Sequence, residues 1–102
     1  MDYVSTRGAA PHLIFTDAMM AGLARDGGLY VPAELPRWQA ADIAALANRP
    51  YEEVAFRVMR PFLGDSLPAD DFEALIAAAY AGFAHPARAP LKQLGPGHFL
   101  LE

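Results

Sequence analysis

The side chains of this sequence that could do chemistry are few and scattered. His12, His85 and His98 lie far apart, without the His-x-x-x-His spacing that sets two imidazoles on one helix face for a metal. They read as surface or loop histidines. Asp70 and Asp71 are neighbouring carboxylates, but they fall in the first turn of an expected helix, where negative charge complements the helix dipole. Ser5, Thr6 and Ser66 have no His-acid partner implied by spacing, so a hydrolase triad is unsupported. Gly95-Pro96-Gly97 is followed by no helix and carries no Lys-Ser or Lys-Thr, which a phosphate loop requires. Lys92 is the only lysine. An imine with a carbonyl group is open to it, while a hairpin edge would make it a solvated charge. Arg7, between Ser5-Thr6 and Gly8, has two readings: a structural hydrogen bond, or an anion held jointly by guanidinium, hydroxyls and amide. Arg25 and Asp26 are assigned to the end of a helix.

Bulk properties narrow the function classes. A chain of 102 residues fits one small domain, with room for a core but little for a deep catalytic cleft besides. The net charge of −4 and the scattered basic residues argue against a nucleic-acid partner. No cysteine is present, which excludes disulfides, thiolate catalysis and cysteine-based zinc sites. The chain opens on the acidic, strand-like Met1-Asp2-Tyr3-Val4 rather than on a basic-then-apolar leader. No apolar run approaches the roughly 18 residues of a membrane helix. The expectation is a soluble, cytoplasmic protein with no membrane and no metal.

The elements that must position these residues form an α+β class: a small, mainly helical domain of about four helices, short N-terminal strands and a C-terminal β-hairpin. Tyr3 to Thr6 reads as a strand. Thr16 is the expected N-cap of a first helix, with Asp17 behind it, Phe15 and Met20 as a hydrophobic staple, and Met19, Met20 and Leu23 facing the core. Gly27 or Gly28 is its expected end, leading into a strand at Leu29-Tyr30-Val31. Ala40 to Ala47 makes a short helix with Ile43, Leu46 and Ala47 as its stripe. Tyr51, Val54, Ala55, Val58, Met59 and Phe62 share one face of the next helix, which Pro61 should end or kink. Phe72, Leu75, Ile76, Ala79, Tyr80 and Phe83 repeat that spacing after Pro68. Leu91 to Leu94 and His98 to Leu101 flank Gly95-Pro96-Gly97 as a hairpin. The sequence stops at Leu100-Leu101-Glu102, within an apolar strand and without a polar tail, which predicts that a longer polypeptide has been cut there.

Tyr3-Val4-Ser5-Thr6-Arg7-Gly8, then Gly22-Leu23-Ala24-Arg25-Asp26-Gly27-Gly28-Leu29-Tyr30-Val31-Pro32 and Glu34-Leu35-Pro36, resemble the amino-terminal region of threonine synthase. The resemblance continues at Phe56 to Phe62, Gly64-Asp65 and His85-Pro86, in order and over essentially the whole chain. It implies a lyase of threonine biosynthesis dependent on pyridoxal 5'-phosphate, converting O-phospho-L-homoserine and water to L-threonine and phosphate, with the cofactor as electron sink. It further implies an N-terminal domain at 1–84, and a linker and hairpin at 85–102 leading into a catalytic domain beyond Glu102. That catalytic domain is the implied partner, with O-phosphohomoserine as its substrate. The family's cofactor lysine lies in a Phe-Lys-Asp motif past Glu102, and its glycine- and asparagine-rich phosphate loop lies further on. Lys92 does not match that motif. Hence no catalytic or cofactor-binding residue is expected here, and no cofactor bound to these residues alone. Ser5, Thr6 and Arg7 match a family motif and are expected near the substrate, through Arg7 in particular. The alternative reading is a stand-alone helical module that binds a partner protein without catalysis.

Overall fold

Two helices with apolar stripes supply the core. In the computed structural model, which describes residues 1–102, α3 (Tyr51–Leu63) and α4 (Ala69–Tyr80) pack together around Ala55, Leu63, Phe72 and Ile76. The Phe56 and Phe72 rings meet at 5.6 Å, and Tyr51 meets Tyr80 edge-on at 4.8 Å. Such aromatic pairs add to the burial that drives the packing. The helical spacing read from the sequence is therefore the one the fold uses, although Leu75 and Phe83 at its margins are exposed. Pro61 does not end α3, which continues two residues further to Leu63. Leu63 is a core residue, and Arg60 bonds the carbonyls of Gly64 and Leu67 at 2.8 and 2.9 Å. Those contacts carry the last turn past the amide that proline lacks.

Against this pair lies a three-stranded antiparallel sheet, in the order β2 (Leu13–Ile14), β1 (Asp2–Ser5), β3 (Tyr30–Pro32). Tyr3 stands opposite both Leu13 and Pro32, and Ser5 opposite Tyr30. Pro32 is tolerated because β3 is an edge strand and needs no donor there. Alternation along β1 buries Tyr3 and Ser5 on one side. The Tyr3 hydroxyl donates to the Phe62 carbonyl at 2.9 Å, tying the sheet to α3, and burial pushes its pKa above the ordinary value. The two-residue strand β2 was not anticipated, being too short to show a period.

Helix α1 (Phe15–Ala21) is shorter than expected, and this is the main correction to the sequence reading. Ile14, not Thr16, holds the N-cap position, and no side chain caps the end; Asp17 does fall in the first turn. The helix stops at Gly22, after which Leu23 bridges to Leu29. The buried side chain of α1 is Ala18, whereas Met19, Met20 and Leu23 are exposed, Met20 at 81%. A seven-residue helix lying on a small sheet has one narrow buried line, and Ala18 takes it. Helix α2 (Ala40–Ala44) also ends early; Ile43 is exposed, and Leu46 of its expected stripe is half-buried beyond it. Asn48 follows with a φ of 60°, a conformation that asparagine tolerates better than most residues.

The chain closes with the hairpin β4 (Leu91–Gly95) and β5 (His98–Leu101), paired antiparallel with an irregularity between Gln93 and Gly95. All four residues of β5 are exposed, as are Leu91 to Leu94. Just before it, the Arg88 guanidinium bonds the Glu52 carboxylate and the Phe83 carbonyl, holding the linker against α3 and the end of α4. The four helices, short N-terminal strands and C-terminal hairpin make the α+β domain expected from the sequence.

Candidate functional site

Ser5, Thr6 and Arg7 leave the end of β1 and all three engage the turn at residues 26–29. Ser5 is buried, and its hydroxyl donates to the Asp26 carboxylate, with Oγ 2.7 Å from Oδ1 and 2.9 Å from Oδ2. The same Oγ accepts the Arg7 amide at 3.2 Å. The Thr6 hydroxyl accepts the Leu29 amide at 3.0 Å, while the Thr6 amide donates to the Leu29 carbonyl at 2.9 Å. Arg7 sends Nη1 to the Asp26 carbonyl at 2.9 Å. The remaining guanidinium nitrogens, Nε and Nη2, make no hydrogen bond to the protein and belong to an exposed side chain.

Asp26 is the residue that sequence reasoning missed. It does not complete a helix end, since α1 stops at Gly22. Its carboxylate instead accepts the amides of Gly28 at 3.0 Å and Ala9 at 2.9 Å, besides the Ser5 hydroxyl. The bond from Gly28 is an Asx turn, in which an aspartate accepts an amide two residues on. The pattern Asp-x-Gly was thus a usable local signal. These donors hold the Asp26 pKa below the usual carboxylate range, the Ser5 hydroxyl contributing most and the Gly28 amide next.

Both glycines are required by geometry. Gly27 has a φ of +78°, and a Cβ there would stand 2.6 Å from Arg7 Nη1. A Cβ on Gly28 would stand 2.3 Å from Ser5 Oγ. The turn is therefore a bed on which Ser5 and Arg7 lie.

The other candidates stay apart from this cluster. His85 Nδ1 accepts the Ala87 amide at 3.0 Å within a turn, and His98 is exposed on β5. No group of three metal-ligating side chains occurs. Asp70 and Asp71 lie in the first turn of α4. A groove of about 600 Å³ between α3 and α4 is walled by Glu52, Glu53, Asp70 and Glu73. Of these, Glu52 is bonded to Arg88 and Glu53 to Arg57. Lys92 is exposed on β4, with Nζ 3.7 Å from Glu102. An exposed lysine on an open hairpin offers no enclosure for a pyridoxal ring and no cradle for its phosphate, so these residues do not fit that cofactor.

Fold and turn together define a small α+β domain with a tightly bonded polar corner. Residues 2–80 match the family described as the threonine synthase N terminus, and the chain belongs to that family. Over its full length it is 52% identical to threonine synthase of Pseudomonas aeruginosa and 38% identical to that of Schizosaccharomyces pombe, covering 22% and 20% of those proteins. It is also 36% identical to human threonine synthase-like 2. Among solved structures it superposes on pyridoxal-phosphate-bound threonine synthase from Brucella melitensis with a TM-score of 0.93 at 53% identity. The yeast enzyme gives 0.84 at 30%. The chain spans all of itself but only 22% of the Brucella protein, and 98% of itself against 21% of the yeast protein. No helix is long and apolar enough to cross a membrane.

Proposed function

We propose that these residues are the N-terminal region of a cytoplasmic threonine synthase, which converts O-phospho-L-homoserine and water to L-threonine and phosphate with pyridoxal 5'-phosphate. The observation that carries this reading is identity of 52% along the whole chain to a threonine synthase of which it covers 22%. Residues 1–84 form the N-terminal domain, and 85–102 a linker and hairpin that lead into the catalytic domain. Supporting that division, the matched family ends at residue 80, and both faces of the hairpin expose apolar side chains, Leu91, Phe99 and Leu101 on one and Leu100 on the other. Such a surface is suited to being covered by protein.

Within the intact enzyme this region is structural and shapes the approach to the substrate. Ser5 commits its hydroxyl proton to Asp26 and the Thr6 hydroxyl accepts a turn amide, so Arg7 is the charged group of the three that can meet a phosphate. Its free Nε and Nη2 edge matches the two-point contact that arginine makes with phosphate oxygens. Cofactor chemistry belongs to residues beyond these, because nothing here fits the cofactor.

The purified 102-residue chain is expected to show no pyridoxal absorbance and to release no phosphate from O-phosphohomoserine. The protein from a reading frame that continues past Glu102 should show that absorbance and release phosphate. Turnover by the short chain alone would overturn the reading, and a stop codon directly after Glu102 would favour a stand-alone interaction module. For Arg7, the full-length Arg7→Ala variant should raise KM for the phosphorylated substrate; unchanged KM and kcat would remove the proposed contact.

A further inference from the structure

The geometry points to Asp26 as a positioning residue for Arg7, fixing the guanidinium so that its Nε and Nη2 edge is presented to a phosphomonoester. This rests on the reading of Arg7 as the anion contact.

Asp26 is the one residue that grips the 5–9 segment from both its side chain and its backbone. The carboxylate takes the Ser5 hydroxyl and the Ala9 amide, which bracket Arg7, while the Asp26 carbonyl takes Nη1 of Arg7 itself. The third amide at the carboxylate, from Gly28, locks the turn on which the guanidinium lies. Arginine is thus anchored at one nitrogen and held on either side along the chain, so little of its rotamer freedom remains to be lost on binding. The anchor is a neutral carbonyl. Asp26 and Arg7 form no ion pair, so the carboxylate is saturated by uncharged donors and the guanidinium keeps its charge for an incoming anion.

Asparagine cannot replace this aspartate despite its equal size. Oδ1 meets the Ser5 hydroxyl and the Gly28 amide, and Oδ2 meets the same hydroxyl and the Ala9 amide. Each oxygen faces a backbone donor, so an NH2 in either place would oppose an N–H. One backbone amide would lose its acceptor, and the segment carrying Arg7 would loosen.

The test is Asp26→Asn in the full-length protein, assayed fresh, with O-phospho-L-homoserine as substrate and hydrogen–deuterium exchange of residues 5–9 and 26–29 as a second readout. The expected result is a rise in KM of about tenfold, the size set by one charge-assisted hydrogen bond, with kcat within about twofold of the parent. Exchange of both segments should quicken. The double variant Asp26→Asn with Arg7→Ala should show no higher KM than Arg7→Ala alone, because a positioning residue has nothing left to position. A merely structural defect would lower the active fraction, and so kcat, without touching KM. If Arg7→Ala raises KM while Asp26→Asn leaves KM and exchange unchanged, the positioning role fails and the anion contact stands. Multiplying KM effects in the double variant would also overturn it. If Arg7→Ala itself leaves KM unchanged, the anion contact fails, and with it the positioning role. Should Asp26→Asn not fold, Ser5→Ala removes only the shared hydroxyl and must give the same KM-selective change in smaller measure; unchanged KM there would overturn the inference.

Discussion

Two short β turns of this molecule look alike in sequence and differ in what holds them. Both are glycine-containing reversals: one at Asp26-Gly27-Gly28, the other at Gly95-Pro96-Gly97. The first is embedded. Ser5, Thr6 and Arg7 from another strand close over it, and Ala24 and Gly28 beside it are buried. The second is bonded only to its own hairpin, and every residue of β5 is exposed. Polar side chains reaching across some twenty residues of sequence turn a local reversal into a fixed corner. Backbone pairing alone leaves a hairpin that needs a surface to lie on.

That contrast can be broken or sharpened by substitution, using denaturant unfolding of the chain as the common measure. The reference is the helical core, where Phe72→Ala should cost about 3–5 kcal/mol because the ring is buried against Phe56 and leaves a cavity. Gly28→Ala should follow at about 1–3 kcal/mol, since the new methyl would overlap Ser5 Oγ and approach the Arg7 backbone. If Gly28→Ala is neutral, the turn is not the fixed corner that the contacts describe.

The next effect is on pH dependence. The folded pKa of Asp26 is depressed, so its contribution to stability is fully present above the unfolded carboxylate value and is lost as pH falls through the lower, folded value. Stability measured from pH 6 down to pH 2 should therefore fall less steeply in Asp26→Asn than in the parent; identical acid limbs would contradict the clamp. The smallest effect is expected at the hairpin, where Leu94→Lys should stay within about 0.5 kcal/mol because the side chain touches little in this chain. A loss there as large as that of Gly28→Ala would show that the hairpin is supported after all.

What the sequence made legible follows from how local each signal is. Helices α3 and α4 were readable because their stripes repeat over three turns and more, and the same residues, Ala55, Phe72 and Ile76, form the core. The hairpin was readable from its glycines and flanking apolar runs. Helix α1 was overextended because Met19, Met20 and Leu23 have the types and spacing of a buried face, while the layer beneath has room only for Ala18. Ser5, Thr6 and Arg7 were singled out by their resemblance to a family motif, and all three meet the turn at residues 26–29. Their partner was not, because Asp26 is 21 residues from Ser5 and its adjacent glycines suggested a helix stop. Nothing short of the fold brings a serine hydroxyl, two backbone amides and a guanidinium to one aspartate.

The Asp26 clamp also bears on how the protein ages. An aspartate followed by glycine is chemically fragile, because the next amide nitrogen can attack the side-chain carboxyl and close a succinimide that reopens as isoaspartate. That attack needs a protonated carboxyl and an unoccupied amide. Here the carboxyl is held ionised by its donors, and the Gly27 amide is engaged at 2.8 Å with the Ala24 carbonyl. The bonds that shape the corner thus also shelter its covalent backbone, and a peptide map of long-stored folded protein should find residue 26 unisomerised.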